Sequence, residues 1–436
     1  MPRVFLIDGS SQMYRAYHAI RGLTAPDGRS TNAIYGFVTM LRKLIADHQP
    51  DYIAASFDLA GPTFRDELSA TYKATRAPMP PDLVEQAPLV REACEAMGVP
   101  VLTFERFEAD DVIGTLAMQA RAHGFEVALV TGDKDFFQLV GDGVRVFNPR
   151  DEGTWYDADG VVAKFGVRPD QVVDVLALMG DSVDNIKGVP GIGEKGAKEL
   201  IATHGTLDKL IEAAPSITQK RYREGLLNHA ADAYASRELA TIRRDVPVTF
   251  DPEALRYRGP KRDACYALFS SLGFRSLTAE FAPTAKDVAT DYRIAGTLQD
   301  VDALVAAVRA SQSMSVTLIT EGAPAVRASI VGIAVSASDH HALYIPLAHT
   351  GLSETPNLSQ TEVLARLQPV LEDAAIRKIG HDLKYLGIVL GQHGITLAGV
   401  DLDVMVASYL IDSTRASHAI EQIAGSTAGY QAATEE

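Results

Sequence analysis

Phe107-Glu108-Ala109-Asp110-Asp111-Val112-Ile113-Gly114 crowds three carboxylates into four positions, then continues as an apolar run at helix spacing through Leu116, Met118 and Ala120. The run predicts a helix. A helix start welcomes acids, because its free N–H groups and dipole favour negative charge. One carboxylate is enough for capping, however, and three together repel unless cations hold them. An acidic solvated turn is the plain reading; where the other acids sit argues for metal.

Residues 3–8 (RVFLID), 53–58 (IAASFD) and 126–133 (EVALVTGD) are apolar runs that each end in an acid, with helical patterns between them at 33–47 and 82–97. Such alternation predicts an α/β fold with a mostly parallel central sheet and helices on its faces. Ligands of such sheets bind beyond the carboxyl ends of the strands. Asp8, Asp58 and Asp133 stand where the strands run out. Asp135, two residues after Asp133, projects to the same side if the chain stays extended. With Glu108, Asp110 and Asp111 at a nearby helix start, the acids converge on one sheet edge. An amphipathic helix at 171–179 closes at Gly180 and is followed by Asp181-Ser182-Val183-Asp184-Asn185. This is either a turn after a helix end or a second carboxylate pair completing a two-metal centre, which stabilises both attacking and leaving oxygens in phosphoryl displacement.

Two further stretches suit a polyanion. Gly188-Val189-Pro190-Gly191-Ile192-Gly193 makes a tight hairpin before a helix start, where backbone N–H groups can face a phosphate, and Lys195 and Lys198 add charge. Such a hairpin grips a backbone without reading bases. Residues 64–83 (FRDELSATYKATRAPMPPDL) space Arg65, Lys73 and Arg76 through a segment whose prolines forbid a continuous helix. It reads as a solvated loop or as a basic arch clamping a nucleic-acid end. In the arch, cations would offset transition-state charge and Tyr72 would stack on a base.

The whole chain of 436 residues, with 47% apolar and 22% charged residues, has room for two to four ordinary domains. No apolar run approaches the ~18 residues that cross a membrane, and Asp8 interrupts an N-terminal run too short for a signal peptide. Cys94 and Cys265 have no metal-ligand spacing and fit a reducing cytosol. The net charge of -15 argues against bulk attraction to nucleic acid, so any phosphate-binding surface must be local. After a small, polar stretch at 283–292, strands are expected at 314–320, 329–337 and 341–346, and helices at 360–373, 382–391 and 403–412. Residues 425–436 read as a flexible tail.

Taken in order, the motifs resemble the N-terminal part of the bacterial DNA polymerase I family, and residues 1 to about 285 resemble its 5′-nuclease, or flap-endonuclease, domain. The carrying residues are Asp8-Gly9-Ser10-Ser11 with Tyr14-Arg15-Ala16-Tyr17-His18, Phe57-Asp58, Thr63-Phe64-Arg65-Asp66-Glu67, Glu108 to Thr115, Thr131 to Asp135, Leu178 to Asn185 and the 188–193 hairpin. The resemblance implies a PIN-like core at 1–170 with a helical arch at about 64–97. A helix-hairpin-helix subdomain at 171–285 follows, then a linker at 286–292. It implies two Mg²⁺ (or Mn²⁺) held by Asp8, Asp58, Glu108, Asp110, Asp111, Asp133, Asp135, Asp181 and Asp184. The first four acids would serve one ion, and Asp133, Asp135, Asp181 and Asp184 the other. Lys73 and Arg76 would act at the scissile phosphate and Arg65 would contact phosphate. Gly188, Val189, Gly191 and Gly193, with K⁺, would grip duplex DNA.

Residues 293–424 resemble an incomplete, degenerate 3′→5′ exonuclease domain of ribonuclease-H-like fold. The family's carboxylate positions fall on Thr317, Ile319 and Leu386, none of which can hold a hard cation. The expectation is a Mg²⁺-dependent 5′→3′ exonuclease and flap endonuclease of replication and repair. It would act as a cytoplasmic, nucleoid-associated monomer on DNA with 5′ flaps, nicks or RNA primers, without membrane contact, polymerase activity or proofreading. A non-catalytic DNA-binding scaffold is the alternative.

Overall fold

Four consecutive apolar residues, Val4 to Ile7, cannot face water on either side, so β1 (Arg3–Asp8) runs through the middle of a sheet. The computed structural model describes residues 1–150, 153–283, 290–350 and 356–428, and the chain divides into two compact units, Met1–Phe274 and Arg275–Glu436. In the first unit β1 leads into α1 (Gly9–Ala19), α2 (Asn32–His48) and β2 (Tyr52–Ser56). Then come α3 (Phe64–Leu68), α4 (Pro81–Ala96), β3 (Val101–Leu102), α5 (Ala109–Ala122), β4 (Glu126–Val130), β5 (Val144–Asn148) and β6 (Thr154–Tyr156). The sheet order is β3-β2-β1-β4-β5-β6, parallel except for the β5–β6 pair. This is the expected α/β architecture. Asp8 lies opposite Ser56, and Ile7 opposite Val130, so the three central strands end level and deliver their following acids to one edge.

The chain does not stay extended after β4. Asp133 accepts the Asp135 N–H at 2.9 Å and caps a 3₁₀ turn, Lys134–Leu139, so the two acids are not pleat neighbours as expected. A short carboxylate next to free N–H groups competes with strand geometry and curls the backbone.

Seven helices follow: α6 (Ala158–Phe165), α7 (Val172–Met179), α8 (Glu194–His204), α9 (Leu207–Ala213), α10 (Lys220–Asn228), α11 (Ala230–Ala240) and α12 (Arg262–Ser271). Between α11 and α12 an irregular strap returns across α5. Asp111, Thr115 and Gln119, one turn apart on α5, accept the backbone N–H groups of Arg243, Val246 and Phe250 at 2.8, 3.2 and 2.7 Å. Gln138 clasps the same strap through Ala240 O and the Ile242 N–H. Side chains thereby satisfy backbone groups that no ladder reaches.

In the second unit α13 (Arg275–Phe281), β7 (Asp291–Ile294), α14 (Leu298–Ser311), β8 (Ser313–Glu321), β9 (Ser329–Ser338) and β10 (His341–Pro346) come first. After them come α15 (Gln360–Leu371), β11 (Arg377–Gly380), α16 (Leu383–Gly391), β12 (Val400–Asp403), α17 (Val404–Ile411) and α18 (Ile420–Ile423). Its mixed sheet runs β12-β11-β8-β9-β10-β7 over a core that includes Val316, Ile333, Ile345, Leu367 and Leu386. The expected linker at 286–292 is corrected at its end, because Asp291 and Tyr292 already belong to β7; residues 284–289 lie outside the described residues. The expected tail at 425–436 begins inside a π-helical turn, Ala424–Ala428, and 429–436 lie outside the described residues. No helix among the described residues is long and apolar enough to cross a membrane.

The strap passes so close to α5 that a Cβ on Gly114 would sit 2.6 Å from Ile242 Cγ2 and 3.0 Å from Arg243 O. Gly114→Ala should gain less than about 1 kcal/mol of helix propensity and lose about 1–3 kcal/mol to overpacking. Urea unfolding should therefore show a net loss of stability.

Candidate metal centre

Asp8 ends β1 and caps α1. Its carboxylate is buried and accepts the Ser11 N–H at 3.0 Å and the Thr131 hydroxyl at 2.8 Å. Asp58 is exposed two residues beyond β2, where Ser10 Oγ holds its backbone N–H and its Oδ1 receives the Ala109 N–H at 2.8 Å, at the start of α5. Glu108 and Asp110 flank that same helix start. Burial raises Asp8 to a pKa of about 7, with Asp133 and Asp58 adding to the push. Asp110 is raised well above the ordinary carboxylate range by burial and by Asp8, Asp133, Asp58 and Glu108. Burial also raises Asp133, which feels Asp184 and Asp181, and takes Asp135 to about 8 with Asp133 as its main charged neighbour. Eight acids named from the sequence thus share one electrostatic neighbourhood.

Cations of the chain stand among them. Lys73 Nζ lies 2.7 Å from Glu108 Oε1, Arg76 Nη2 lies 3.1 Å from Asp184 Oδ1, and Lys134 Nζ lies 3.1 Å from Asp181 Oδ2. The turn carrying Lys73 is latched to the acidic loop, since its N–H donates to Asp184 O and Asn185 Nδ2 donates to Thr71 O. Lys73 has φ +52°, a left-handed conformation costing about 1–2 kcal/mol that these contacts offset. Beside them a cavity of about 310 Å³ is lined by Ser10, Tyr14, Asp58, Lys73, Arg76 and Glu108, among others.

Several expectations need correction. Asp111 is fully buried and its oxygens are taken by Arg65 (2.7 and 2.9 Å), the Glu108 N–H and the Arg243 N–H, so it has no room for a metal. Arg65 is 3% exposed, with its fork spent on Asp111, Glu108, Leu239 O and Thr241 O; it cannot meet a phosphate. Tyr72 is buried in the core with its hydroxyl 3.2 Å from Glu108 Oε2, so its ring is not offered to a base. In the hairpin, Gly188 and Val189 turn inward. A Cβ on Gly188 (φ +62°) would strike Gly180 N at 2.5 Å, and the Val189 N–H bonds Leu178 O. Gly191 is half-buried, while Gly193 and Lys195 are exposed. Lys198 pairs with Glu194 at 2.6 Å over the Phe165 ring. Lys134, Ser10 and Thr131, quoted above only as members of motifs, gain roles here. Lys134 could have been suspected from its place between Asp133 and Asp135, but the other two partnerships join residues far apart in sequence.

In the second unit Thr317 and Ile319 are exposed on one face of β8, and Leu386 is packed into the core. The nearby acids are consumed as caps: Asp382 accepts the Tyr385 N–H, and Asp403 accepts those of Asp382, Leu383 and Met405.

A divalent cation fits the donor set of the first unit, which is all hard carboxylate oxygen. Asp135 Oδ1 is buried without a hydrogen-bond partner, and the clustered negative charge has few fixed counter-ions. Among the described residues, however, no three Asp, Glu, His or Cys side chains stand close enough to cage an ion as they are. Lys73, Arg76 and Lys134 occupy some of the carboxylate oxygens instead.

The family described as 5′-3′ exonuclease, N-terminal resolvase-like domain, matches residues 3–166, and its C-terminal SAM fold matches 167–263. Residues 3–263 belong to the 5′-3′ exonuclease family. The ribonuclease H-like domain of DNA polymerase I matches 325–436, and the relatives are DNA polymerase I chains matched over their N-terminal half. That of Pseudomonas aeruginosa is 37% identical over 441 residues, covering 96% of this chain and 48% of the relative. That of Bacillus caldotenax is 36% identical over 416 residues, covering 94% and 46%. The chain spans about half the length of the curated relatives it matches. Among solved structures, T5 5′-exonuclease with bound zinc is 21% identical with a TM-score of 0.49, covering 64% of this chain and 98% of that one.

The raised pKa values of Asp8 and Asp135 carry a sign. Between about pH 4 and 8 the folded chain keeps protons that the unfolded chain has released, so stability falls as pH rises through this window. With a chelator present, the melting temperature should drop from pH 5 to pH 8.5. Added Mg²⁺ should raise it more at the higher pH, and equal effects at both would contradict the cluster.

Proposed function

We propose that this chain is a Mg²⁺-dependent, structure-specific 5′ nuclease that hydrolyses phosphodiesters near the 5′ ends of DNA flaps and nicks, and of RNA primers. The observation that carries the reading is a polycarboxylate edge met by cations of a neighbouring basic turn, in a chain with both 5′-3′ exonuclease domains. Asp8, Asp58, Glu108 and Asp110 would hold one divalent ion, and Asp133, Asp135, Asp181 and Asp184 the other. Asp133 pushes on Asp8 and Asp110 as well as feeling Asp184 and Asp181, so it stands between the two groups. When bound, such ions supply an acidified water and neutralise charge on the leaving oxygen.

Lys73 and Arg76 are then free to turn from Glu108 and Asp184 toward the scissile phosphate, whose developing charge they offset. Thr131 and Ser11 keep the Asp8 carboxylate aimed, and Ser10 does the same for the backbone of Asp58. The outer hairpin, Gly191, Gly193 and Lys195, would grip the duplex backbone with K⁺. The 293–424 region would not proofread, since Thr317, Ile319 and Leu386 offer no carboxylate. The chain would act as a monomer in the cytoplasm.

The test uses a 5′-flap duplex labelled at either end, with and without Mg²⁺, comparing this chain with Asp110→Ala. Mg²⁺-dependent release of short 5′ products should fall at least about a hundredfold in the variant, with no loss from 3′ ends. Tight flap binding without cleavage by either protein would favour a scaffold. Digestion from the 3′ end that survives the substitution would give the second unit an activity.

A further inference from the structure

Glu108 is approached by three donors from residues 65–73. Arg65 Nη1 at 3.4 Å and the Tyr72 hydroxyl at 3.2 Å reach Oε2, whereas Lys73 Nζ at 2.7 Å reaches Oε1. The two oxygens keep different company. Arg65 and Tyr72 are 3% and 6% exposed and locked in place, while the Lys73 side chain is a quarter exposed. Behind them, Asp111 receives both prongs of Arg65 and also the Glu108 N–H at 3.1 Å. The Arg65–Asp111 ion pair therefore holds Glu108 at its backbone N–H and at Oε2, while Oε1 is paired with the more exposed Lys73 alone. The remaining Arg65 donors bind Leu239 O at 2.9 Å and Thr241 O at 3.0 Å, which ties this assembly to the strap.

We infer that Arg65, Tyr72 and Asp111 form a brace that fixes Glu108 through Oε2 and leaves Oε1 to serve the cation, with Tyr72 a positioning residue rather than a base-stacking platform. The inference rests on the proposed role of Glu108 as a metal ligand. A planar guanidinium can bind Asp111 with both prongs and still reach Glu108 and two carbonyls, which the point charge of a lysine cannot. A carboxylate already oriented on one oxygen loses less freedom when the other binds a cation. The Tyr72 hydroxyl also lies 3.4 Å from Asp184 Oδ2, so the brace touches both groups of acids.

The experiment titrates Mn²⁺ into the full chain, wild type, Tyr72→Phe, Arg65→Lys and Asp110→Ala, read by the electron-spin resonance signal of free Mn²⁺. Flap affinity in Ca²⁺, cleavage across Mg²⁺ concentrations and urea stability are measured alongside. Tyr72→Phe keeps the ring and any stacking but loses the hydroxyl. It should weaken Mn²⁺ about tenfold, the worth of one hydrogen bond to a charged group. Its cleavage should recover at saturating Mg²⁺ with flap affinity unchanged. Arg65→Lys should weaken Mn²⁺ at least as much.

Unaltered Mn²⁺ affinity in Tyr72→Phe overturns the brace, whether the variant loses flap affinity, stability or nothing. A wild type that binds no Mn²⁺ sensitive to Asp110→Ala overturns the metal reading itself. Should Arg65→Lys fail to fold, the tyrosine variant alone decides.

Discussion

Carboxylates gathered at one sheet edge repel one another and lose hydration together, and much of the first unit is arranged around that cost. The level ends of β1, β2 and β4 bring Asp8, Asp58 and Asp133 together, while the start of α5 adds Glu108 and Asp110. Within these elements the Ala109 N–H at the start of α5 relieves only Asp58. Relief comes from elsewhere in the chain, through Lys73, Arg76 and Lys134 and through hydroxyls and backbone N–H groups of neighbouring turns. These partners are weaker than a divalent ion and contact only some of the oxygens. The arrangement suits a site that gives up its internal cations when metal arrives.

The buried pair of Arg65 and Asp111 has a different character. Both groups are out of water and each is hydrogen-bonded to capacity, the condition under which a buried ion pair is tolerated. Removing one partner would strand the other charge. The pair joins α3, the start of α5 and the strap after α11, so a local change there is felt by the acids and by the helical region alike. The stripe of Asp111, Thr115 and Gln119 extends the same logic along α5, with polar side chains standing in for a missing ladder.

The second unit shows what becomes of acids without a cluster to serve. Asp382 and Asp403 cap helices, each satisfied by backbone N–H groups. On the β8 face the side chains at 317 and 319 are a threonine and an isoleucine. The ribonuclease H-like scaffold persists there with an ordinary apolar core, since packing asks only for volume and pattern.

Much of this was legible in the sequence. Continuous apolar runs marked the central strands and runs of period 3.6 the helices, because burial is local in its demand on residue type. The ends of those runs placed the acids on one edge, because parallel strands all point the same way. What escaped was whatever depends on partners distant along the chain. Short strands such as β11, with two buried residues, and β12, with none, carry too little pattern to stand out. Arg65 and Asp111 looked like a phosphate contact and a metal ligand, and only folding set them face to face, 46 residues apart. Tyr72 and Gly188 looked exposed for the same reason. Residue type and spacing fix which groups can carry charge or bind a cation; the tertiary structure alone decides which of them are already neutralised, because pairing is settled by proximity in space.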